Sequence, residues 1–568
     1  MYTMIEDKII QIIQKVVTDS FPEFTGGVQL STPQLQFGDF STNIALILAK
    51  VAKRNPMEVA EQIKKDIVLD ENIENIQVLK PGFINIWLSK KALIAPLEQA
   101  VNGAFSIPSF HFGSEKKVMV EFAHPNTHKL FHIGHLRNIS TGESVVRLLT
   151  AVGNKVIRTN YQGDVGLHIA KCLWGVQQMI KKNGEEMFDA LSLSDKIKLI
   201  GKAYSEGQTA YEADEKAKAE IIEINKEVYS PEDSLTKKLW LKTREWSIAY
   251  FEEIYKRLYS RFDRCYFESE VHEQGLKTSR ELLAKGILEE SKGAVIFNGE
   301  KYGLDTRVFI NSLGFPTYEG KEMGLAAKEF SDFGTLDKCI HCVTPEQTSF
   351  FKITFKVEEL LDPKKFEGKQ YHLAYEWVKL KDGKMSSRTG NVIEASWLLD
   401  EIKKKILEKF KNSEDTVETL AVASVKYSFL KNATNSQIAF DIDESVSLDG
   451  NSAPYILYTF VRTQSIISKE NENTGAYPQE ISTDEKQMMR LIYQYTDKVH
   501  KAASSLSPNI IAGYLYELCR EYNLFYQKNP ILKAEADQKY IRLVITKAVG
   551  SIIKHGFDLL GIQTVQKM

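Results

Sequence analysis

A chain of 568 residues is too long for one hydrophobic core, and its 43% hydrophobic residues are ample for several domains. A net charge of −2 neither demands nor excludes a nucleic-acid partner, and the longest apolar runs fall far short of a membrane span. Five scattered cysteines (172, 265, 339, 342 and 519) suit a reduced compartment, and Glu6 and Asp7 stand where a signal peptide would be cationic, so the expected location is the cytoplasm.

In chain order, Ile5, Ile9, Ile12, Ile13 and Val16 recur at helical spacing. "FGDFSTNIALILAKVAKRNPMEVAEQIKKDI" continues as amphipathic helices broken at Pro56, and "NIQVLKPGFINIWLS" alternates as a strand with a turn at Pro81-Gly82. Residues 1–112 therefore read as a small α/β module. "KVMVEF" predicts a buried strand, Leu136 to Leu149 a helix stopped at Gly153, and "KVIRTNYQG" a second strand; this βαβ unit implies a parallel sheet. From about Gly175 to Arg264 the sequence is charged and helical and reads as an insertion. "GAVIFN" and "DTRVFIN" are expected to resume the sheet, which runs to about Val392. Beyond Glu394 the pattern is helical; Ile541, Val544, Ile545, Ala548, Val549, Ile552 and Ile553 recur at helical spacing in the last part.

"VEFAHPNTHKLFHIGHLRN" holds His124, His128, His132 and His135. On one continuous helix these would share a face and could hold zinc, but Pro125 and Gly134 interrupt such a helix and no HExxH is present, so metal is the weaker reading. Histidines merely filling a surface would explain any one of them, but not several in one turn. If a helix begins within "HIGHLRN", His132 and His135 lie at its N-terminus, where free N–H groups attract phosphate, and Gly134 lets a base or phosphate approach the backbone. A strand, such a turn and a helix in a parallel sheet make a nucleotide site. Downstream, "EWVKLKDGKMSSRTGNVI" places Lys384, Ser386, Ser387 and Arg388 between Gly383 and Gly390, as a mobile cationic loop suited to pyrophosphate; alone it would read as a solvated loop.

Together, these strings resemble the two signatures of class I aminoacyl-tRNA synthetases, and "EFAHPNTHKLFHIGHLRN", "KMSSRTGNV", "GNSAPYILYTFVR" and "YLYELCREYNLFYQKNPIL" narrow the resemblance to the arginyl-tRNA synthetase family over essentially the whole chain. The implied fold is α/β: a Rossmann-like parallel-sheet catalytic domain at 113–394 with a helical insertion at about 175–264, an N-terminal α/β module at 1–112 that contacts tRNA, and a C-terminal all-α helical bundle at 395–568 that binds the anticodon. The implied activity joins L-arginine to tRNA(Arg) by way of arginyl-adenylate. ATP is a substrate accompanied by Mg2+, no protein-bound metal is expected, and the family is usually monomeric.

By this resemblance His132, Gly134, His135, Lys384, Met385, Ser386, Ser387 and Arg388 serve ATP. The second signature lacks its usual final lysine, Arg388 standing in that region, and Lys129 holds the place from which family members compensate. Arginine would meet Glu268, Tyr318, Glu322, Asn126 and Gln347, with Glu121 in support, because carboxylates with a phenol or amide suit a planar, multiply donating cation. Glu322 stands where many members have Asp, leaving Glu322 or Glu319 as the acid; Val165 and His168 replace a Trp and a Gln, while Asp164 stays as a supporting residue. Tyr455, Tyr458, Arg462 and the terminal Met568 are the implied tRNA contacts, though helix packing explains the tyrosines equally well. Cys339-x-x-Cys342 reads as coincidence within a strand, because no second pair accompanies it. A different class I synthetase or nucleotidyltransferase, and a non-catalytic binding descendant, remain as rivals.

Overall fold

The computed structural model describes residues 5–188, 190–230, 232–381, 393–409, 413–470 and 475–568. Contacts divide the chain into two compact units, one of residues 1–106, 459–498 and 514–555, the other of 107–458, 499–513 and 556–568.

The first unit contains a three-stranded antiparallel sheet in the order Phe40–Thr42, Phe83–Leu88, Ile73–Leu79, the last two joined through the Pro81-Gly82 turn. The helical run is broken at Pro56, between Ile44–Ala52 and Pro56–Asp66: Asn55 caps the second helix by accepting from the Met57 N–H at 2.9 Å, and proline at the first helical position sacrifices no intrahelical bond. The buried Asp39 carboxylate takes the Leu88 N–H at 2.7 Å and pairs with Arg490 at 2.9 Å, which bonds the N-terminal module to the helix Thr483–Tyr493 within this unit.

The second unit is built on five parallel strands in the order Gln370–Ala374, Lys338–Val343, Lys117–Glu121, Lys155–Gln162, Arg264–Phe267. Val118, Met119 and Val120 are wholly buried because helices leave a central parallel strand no wet face. Sequence order runs outward both ways from Lys117–Glu121, so the topological switch lies between that strand and Lys338–Val343. Ligands of open α/β sheets bind at the carboxyl edge there. Four helices, Leu167–Asn183, Leu193–Ala213, Glu215–Tyr229 and Leu235–Arg257, fill the connection between the second and third strands.

Two expectations need correction. Ala294–Phe297 and Arg307–Ile310 do not rejoin the parallel sheet; with Glu289–Ser291 they form a separate antiparallel sheet. The 298–306 connection is too short for a parallel crossover, and Lys292-Gly293, both at positive φ, make the tight turn that joins the first pair. The region beyond Glu394 is not wholly helical either, since Ile438–Phe440 pairs in parallel with Val378–Leu380.

The chain's last segment docks on the long helix Ile133–Ala151. Ser144 Oγ donates to the Leu559 carbonyl at 2.9 Å, Arg147 pairs with Asp558 at 2.6 Å, and the buried Lys426 donates to the Leu258 and Gly561 carbonyls at 2.8 and 2.5 Å. Among the described residues no helix is long and apolar enough to cross a membrane.

Helices Glu268–Ala284 and Tyr318–Phe333 approach through glycines: a Cβ on Gly275 would strike the Gly320 carbonyl, and one on Gly324 the Val271 carbonyl. Gly275→Ala should therefore lower stability by about 1–3 kcal/mol, measured by urea unfolding, because backbone cannot yield as a side-chain tip would.

Candidate active site at the carboxyl edge of the parallel sheet

The turn after the first core strand opens the helix Ile133–Ala151 with His132 as its N-cap. His132 Nδ1 accepts the Gly134 N–H and His135 Nδ1 accepts the His132 N–H, both at 3.1 Å, so each imidazole caps the turn that carries the other. The rings lie 3.7 Å apart between centroids, with Phe131 4.5 Å from His135. A Cβ at position 134 would press into the His132 ring, so this glycine first makes room for the imidazole itself. Burial, then the Lys129 charge, pulls His132 down to about 4; burial and then His132 hold His135 well below the usual range. Both rings are thus neutral at physiological pH. With Nδ1 accepting, each carries its proton on Nε2, and two N–H donors stand at a helix N-terminus.

Of the other histidines of this stretch, His124 lies within electrostatic reach of Glu121 and His135, while His128 is held away from them. His124 and His128 sit at positive φ, and His128 is buried between Thr127 Oγ1 and Thr243 Oγ1 at 3.0 and 2.8 Å. Among the described residues no group of three or more His, Cys, Asp or Glu is arranged for a metal. Cys339 and Cys342 are buried in the Lys338–Val343 strand, three residues apart and therefore on opposite faces.

Lys384, Met385, Ser386, Ser387 and Arg388 lie outside the described residues. Their flanks are placed. Ile133 N–H donates to the Ile393 carbonyl at 2.9 Å and Ala395 N–H to the Phe131 carbonyl at 2.8 Å, while Arg137 donates to the Glu376 and Trp377 carbonyls. Both ends of the second motif are therefore bonded to the first.

The acidic candidates gather at the same edge. Glu121 ends the first core strand, Glu268 follows the third, Gln347 follows the fourth and is exposed, Tyr318 opens its helix, and Glu322 stands one turn further along it. Gly163 leaves the room in which Asn126 Oδ1 and Glu268 Oε1 converge, the latter 3.4 Å from where a Cβ would sit. Tyr318 is 66% exposed at the rim. Glu319 pairs with Arg307 at 3.3 Å, whereas Glu322 is buried near Glu121, so the two acids are separated by partner. Burial, then the Glu121 charge, pushes Glu322 up to about 8. Asp164 is wholly buried, accepts from Ser269 N–H and Oγ at 2.9 and 2.7 Å and pairs with Arg244 at 3.1 Å, which makes it a brace for the helix that carries Glu268.

Lys321 and His341 are among the residues that escaped sequence reasoning. Lys321 Nζ lies 2.7 Å from Glu268 and 3.2 Å from the Tyr229 hydroxyl, so one carboxylate of the acidic group already holds a cation. His341, the middle of "KCIHC", bonds through Nδ1 to Glu121 Oε1 and through Nε2 to Gln370 Oε1, each at 2.9 Å. Two acceptors require two protons on that ring. Burial opposes its charge, but the Glu121 hydrogen bond and charge win and raise it to about 9; burial likewise opposes ionised Glu121, and the His341 hydrogen bond and charge hold it below the usual range. Lys129 is half-buried, its Nζ 5.3 Å from the Tyr204 ring, and burial lowers its pKa. Tyr455, Tyr458 and Arg462 follow the same helix, Ala453–Ile467, with Tyr458 exposed and Arg462 bonded to Asn523; Met568 is half-buried.

Residues 105–441 match the family described as tRNA synthetases class I (R), catalytic domain; 3–88 match the arginyl tRNA synthetase N terminal domain, and 456–568 the DALR anticodon binding domain. The chain belongs to the arginyl-tRNA synthetase family. Relatives in this family include an arginine–tRNA ligase of Fusobacterium nucleatum, 32% identical with 99% of each chain covered, and one of Bdellovibrio bacteriovorus, 30% identical with 98% of each. In fold the chain is similar to Thermus thermophilus arginyl-tRNA synthetase, with a TM-score of 0.79 at 22% identity over 100% of both chains, and to the Plasmodium falciparum enzyme, 0.79 at 21% over 99% of both.

The Glu121–His341 pair gives a pH signature. His341→Phe strands a buried carboxylate and should cost about 3–5 kcal/mol near neutral pH. Because His341 is raised from 6.5 to about 9, its contribution is full below 6.5 and lost as pH rises through 9, so the stability gap between variant and wild type should narrow over that window in denaturant titrations.

Proposed function

We propose that the chain is an arginine–tRNA ligase that converts L-arginine and ATP to arginyl-adenylate and pyrophosphate, then passes the arginyl group to the 3′-terminal adenosine of tRNA(Arg). The reading rests on family membership together with one geometric observation: two neutral, mutually capping imidazoles stand at a helix N-terminus beside the topological switch, and a cluster of buried carboxyls stands at the same sheet edge.

In the first step the arginine carboxylate attacks the α-phosphorus in line and the bond to the β-phosphate oxygen breaks, so no side-chain nucleophile is needed. The task is positioning and charge stabilisation. The His132 and His135 Nε2–H donors and the helix N-terminus, with Gly134 in the turn, hold the phosphates; Lys129 adds positive charge. Lys384, Met385, Ser386, Ser387 and Arg388 receive the departing pyrophosphate, and Mg2+ enters with ATP as part of the substrate. In the second step an adenosine hydroxyl attacks the activated carbonyl and AMP leaves.

Arginine lies with its guanidinium toward Glu322, Glu268 and Tyr318, where lysine would leave acceptors unpaired. Asn126 and Gln347 take the α-amino and carboxylate end, with Glu121 in support. Residues 1–112 and the bundle at 395–568 receive the tRNA elbow and anticodon loop, the latter at Tyr455, Tyr458, Arg462 and Met568. The protein works as a monomer in the cytoplasm.

The direct test is arginine-dependent ATP–pyrophosphate exchange, with and without tRNA(Arg). Exchange with arginine, and none with lysine or glutamine, is expected; folded protein that is silent with both arginine and tRNA present would refute the assignment in favour of a binding-only descendant. A second expectation concerns Glu322. Raised to about 8 by burial and Glu121, it is largely protonated at neutral pH, and a bound guanidinium favours the ionised form. Arginine binding at neutral pH should release about one proton, seen by calorimetry as an enthalpy that follows the buffer's ionisation enthalpy. A buffer-independent enthalpy would remove Glu322 from the guanidinium site.

A further inference from the structure

Arg137 lies in the first turns of the Ile133–Ala151 helix, buried to 2% exposure, and no carboxylate pairs with it among the described residues. Among the described residues its hydrogen bonds all go to main-chain carbonyls, while its Cζ lies 5.8 Å from the Tyr375 ring centroid. Nη1 donates to Glu376 and, at 3.2 Å, to Trp377; Nη2 donates to Thr434 at 3.1 Å and Ser436 at 2.9 Å, with Ala433 at 3.4 Å. The two acceptor segments lead into the paired strands Val378–Leu380 and Ile438–Phe440. Next to it, Asn138 accepts the Ala123 N–H at 2.6 Å and donates to the Cys342 carbonyl and the Tyr375 hydroxyl at 2.8 and 3.0 Å. One helical turn therefore ties the ends of two core strands and two outlying segments to the helix whose cap is His132.

A buried charge in no ion pair is a poor stabiliser, even with the Glu376 charge in reach, since an apolar side chain of similar volume would fill the space without the cost of desolvating a cation. What the guanidinium supplies is direction. Its planar fork reaches two segments at once, which a single ammonium cannot do. Burial lowers its pKa to about 10, so it keeps its charge at neutral pH.

We propose that Arg137 is a positioning residue for arginine activation: by clamping the Glu376-Trp377 and 433–436 carbonyls to the signature helix, it sets the register between the His132/His135 turn and the paired strands Val378–Leu380 and Ile438–Phe440. The proposal rests on the function assigned above. The sequence does not show it, because the partners of Arg137 are backbone atoms far away in the chain.

The test compares wild type, Arg137→Ala and Arg137→Lys in pyrophosphate exchange at saturating arginine and ATP, with melting temperature measured on the same samples. A clamp predicts kcat lowered about 10²-fold by misplacement alone, with the KM for arginine little changed. It also predicts partial recovery of Arg137→Ala by millimolar guanidinium but not by methylammonium, with wild type in the same series correcting for inhibition. Wild-type kcat in either folded variant, or a loss that only follows the melting temperature and is deaf to guanidinium, overturns the proposal. If Arg137→Ala fails to fold, Arg137→Lys carries the comparison. If wild type itself shows no exchange, it is the assigned function that fails. Amide hydrogen exchange still tests the clamp in that case: Arg137→Lys should speed exchange at Trp377–Lys381 and Ser436–Phe440, and unchanged protection there refutes it.

Discussion

The site depends on a reciprocal cap. A helix start leaves N–H groups without partners, and a short polar side chain with an acid three residues on usually supplies the acceptors. Here imidazoles take both parts: His132 accepts from Gly134, and His135 accepts from His132. The substitution changes what the turn can do. A carboxylate in either place would repel phosphate, whereas a neutral imidazole that spends Nδ1 on the backbone keeps a donor at Nε2. Capping and tautomer are one arrangement, on which the proposed phosphate role rests, and it requires that both rings stay uncharged. Burial secures that, with Lys129 adding to it at both rings and His132 and His124 adding to it at His135.

The opposite logic governs the acidic side. Glu121, Glu322, Glu329 and Glu358 are all buried within electrostatic reach of one another, and His341 is the cation among them. Four buried carboxylates cannot all be ionised beside one imidazolium, so burial and mutual repulsion push Glu322 and Glu329 upward, burial raises Glu358, and Glu121, bonded to His341, stays charged. Glu268 is neutralised separately by Lys321.

Much of this was legible in the sequence where the information is local. The strand, turn and helix of the first signature follow from an apolar run, a glycine and a periodic helix, and the structure places His132 and His135 at the helix start. Partners were not legible. Periodicity gave Ala294–Phe297 and Arg307–Ile310 as strands but could not tell that a short connection sends them into a separate antiparallel sheet. Lys321, His341 and Arg137 each look like an ordinary polar residue until distant atoms meet them: Glu268, Glu121 and the carbonyls at 376–377 and 433–436. Gly134 was expected to admit ligand, and its immediate use is to admit the His132 ring.

The central claim is that both signature imidazoles are neutral with the proton on Nε2. Long-range nitrogen–proton NMR on histidine-labelled protein, with His132→Ala and His135→Ala used for assignment, reads this directly. At neutral pH each ring should show an unprotonated, hydrogen-bonded Nδ1 and a protonated Nε2, and His132 should begin to charge only near pH 4. An imidazolium pattern at neutral pH for either residue would contradict the capping arrangement and the phosphate role built on it.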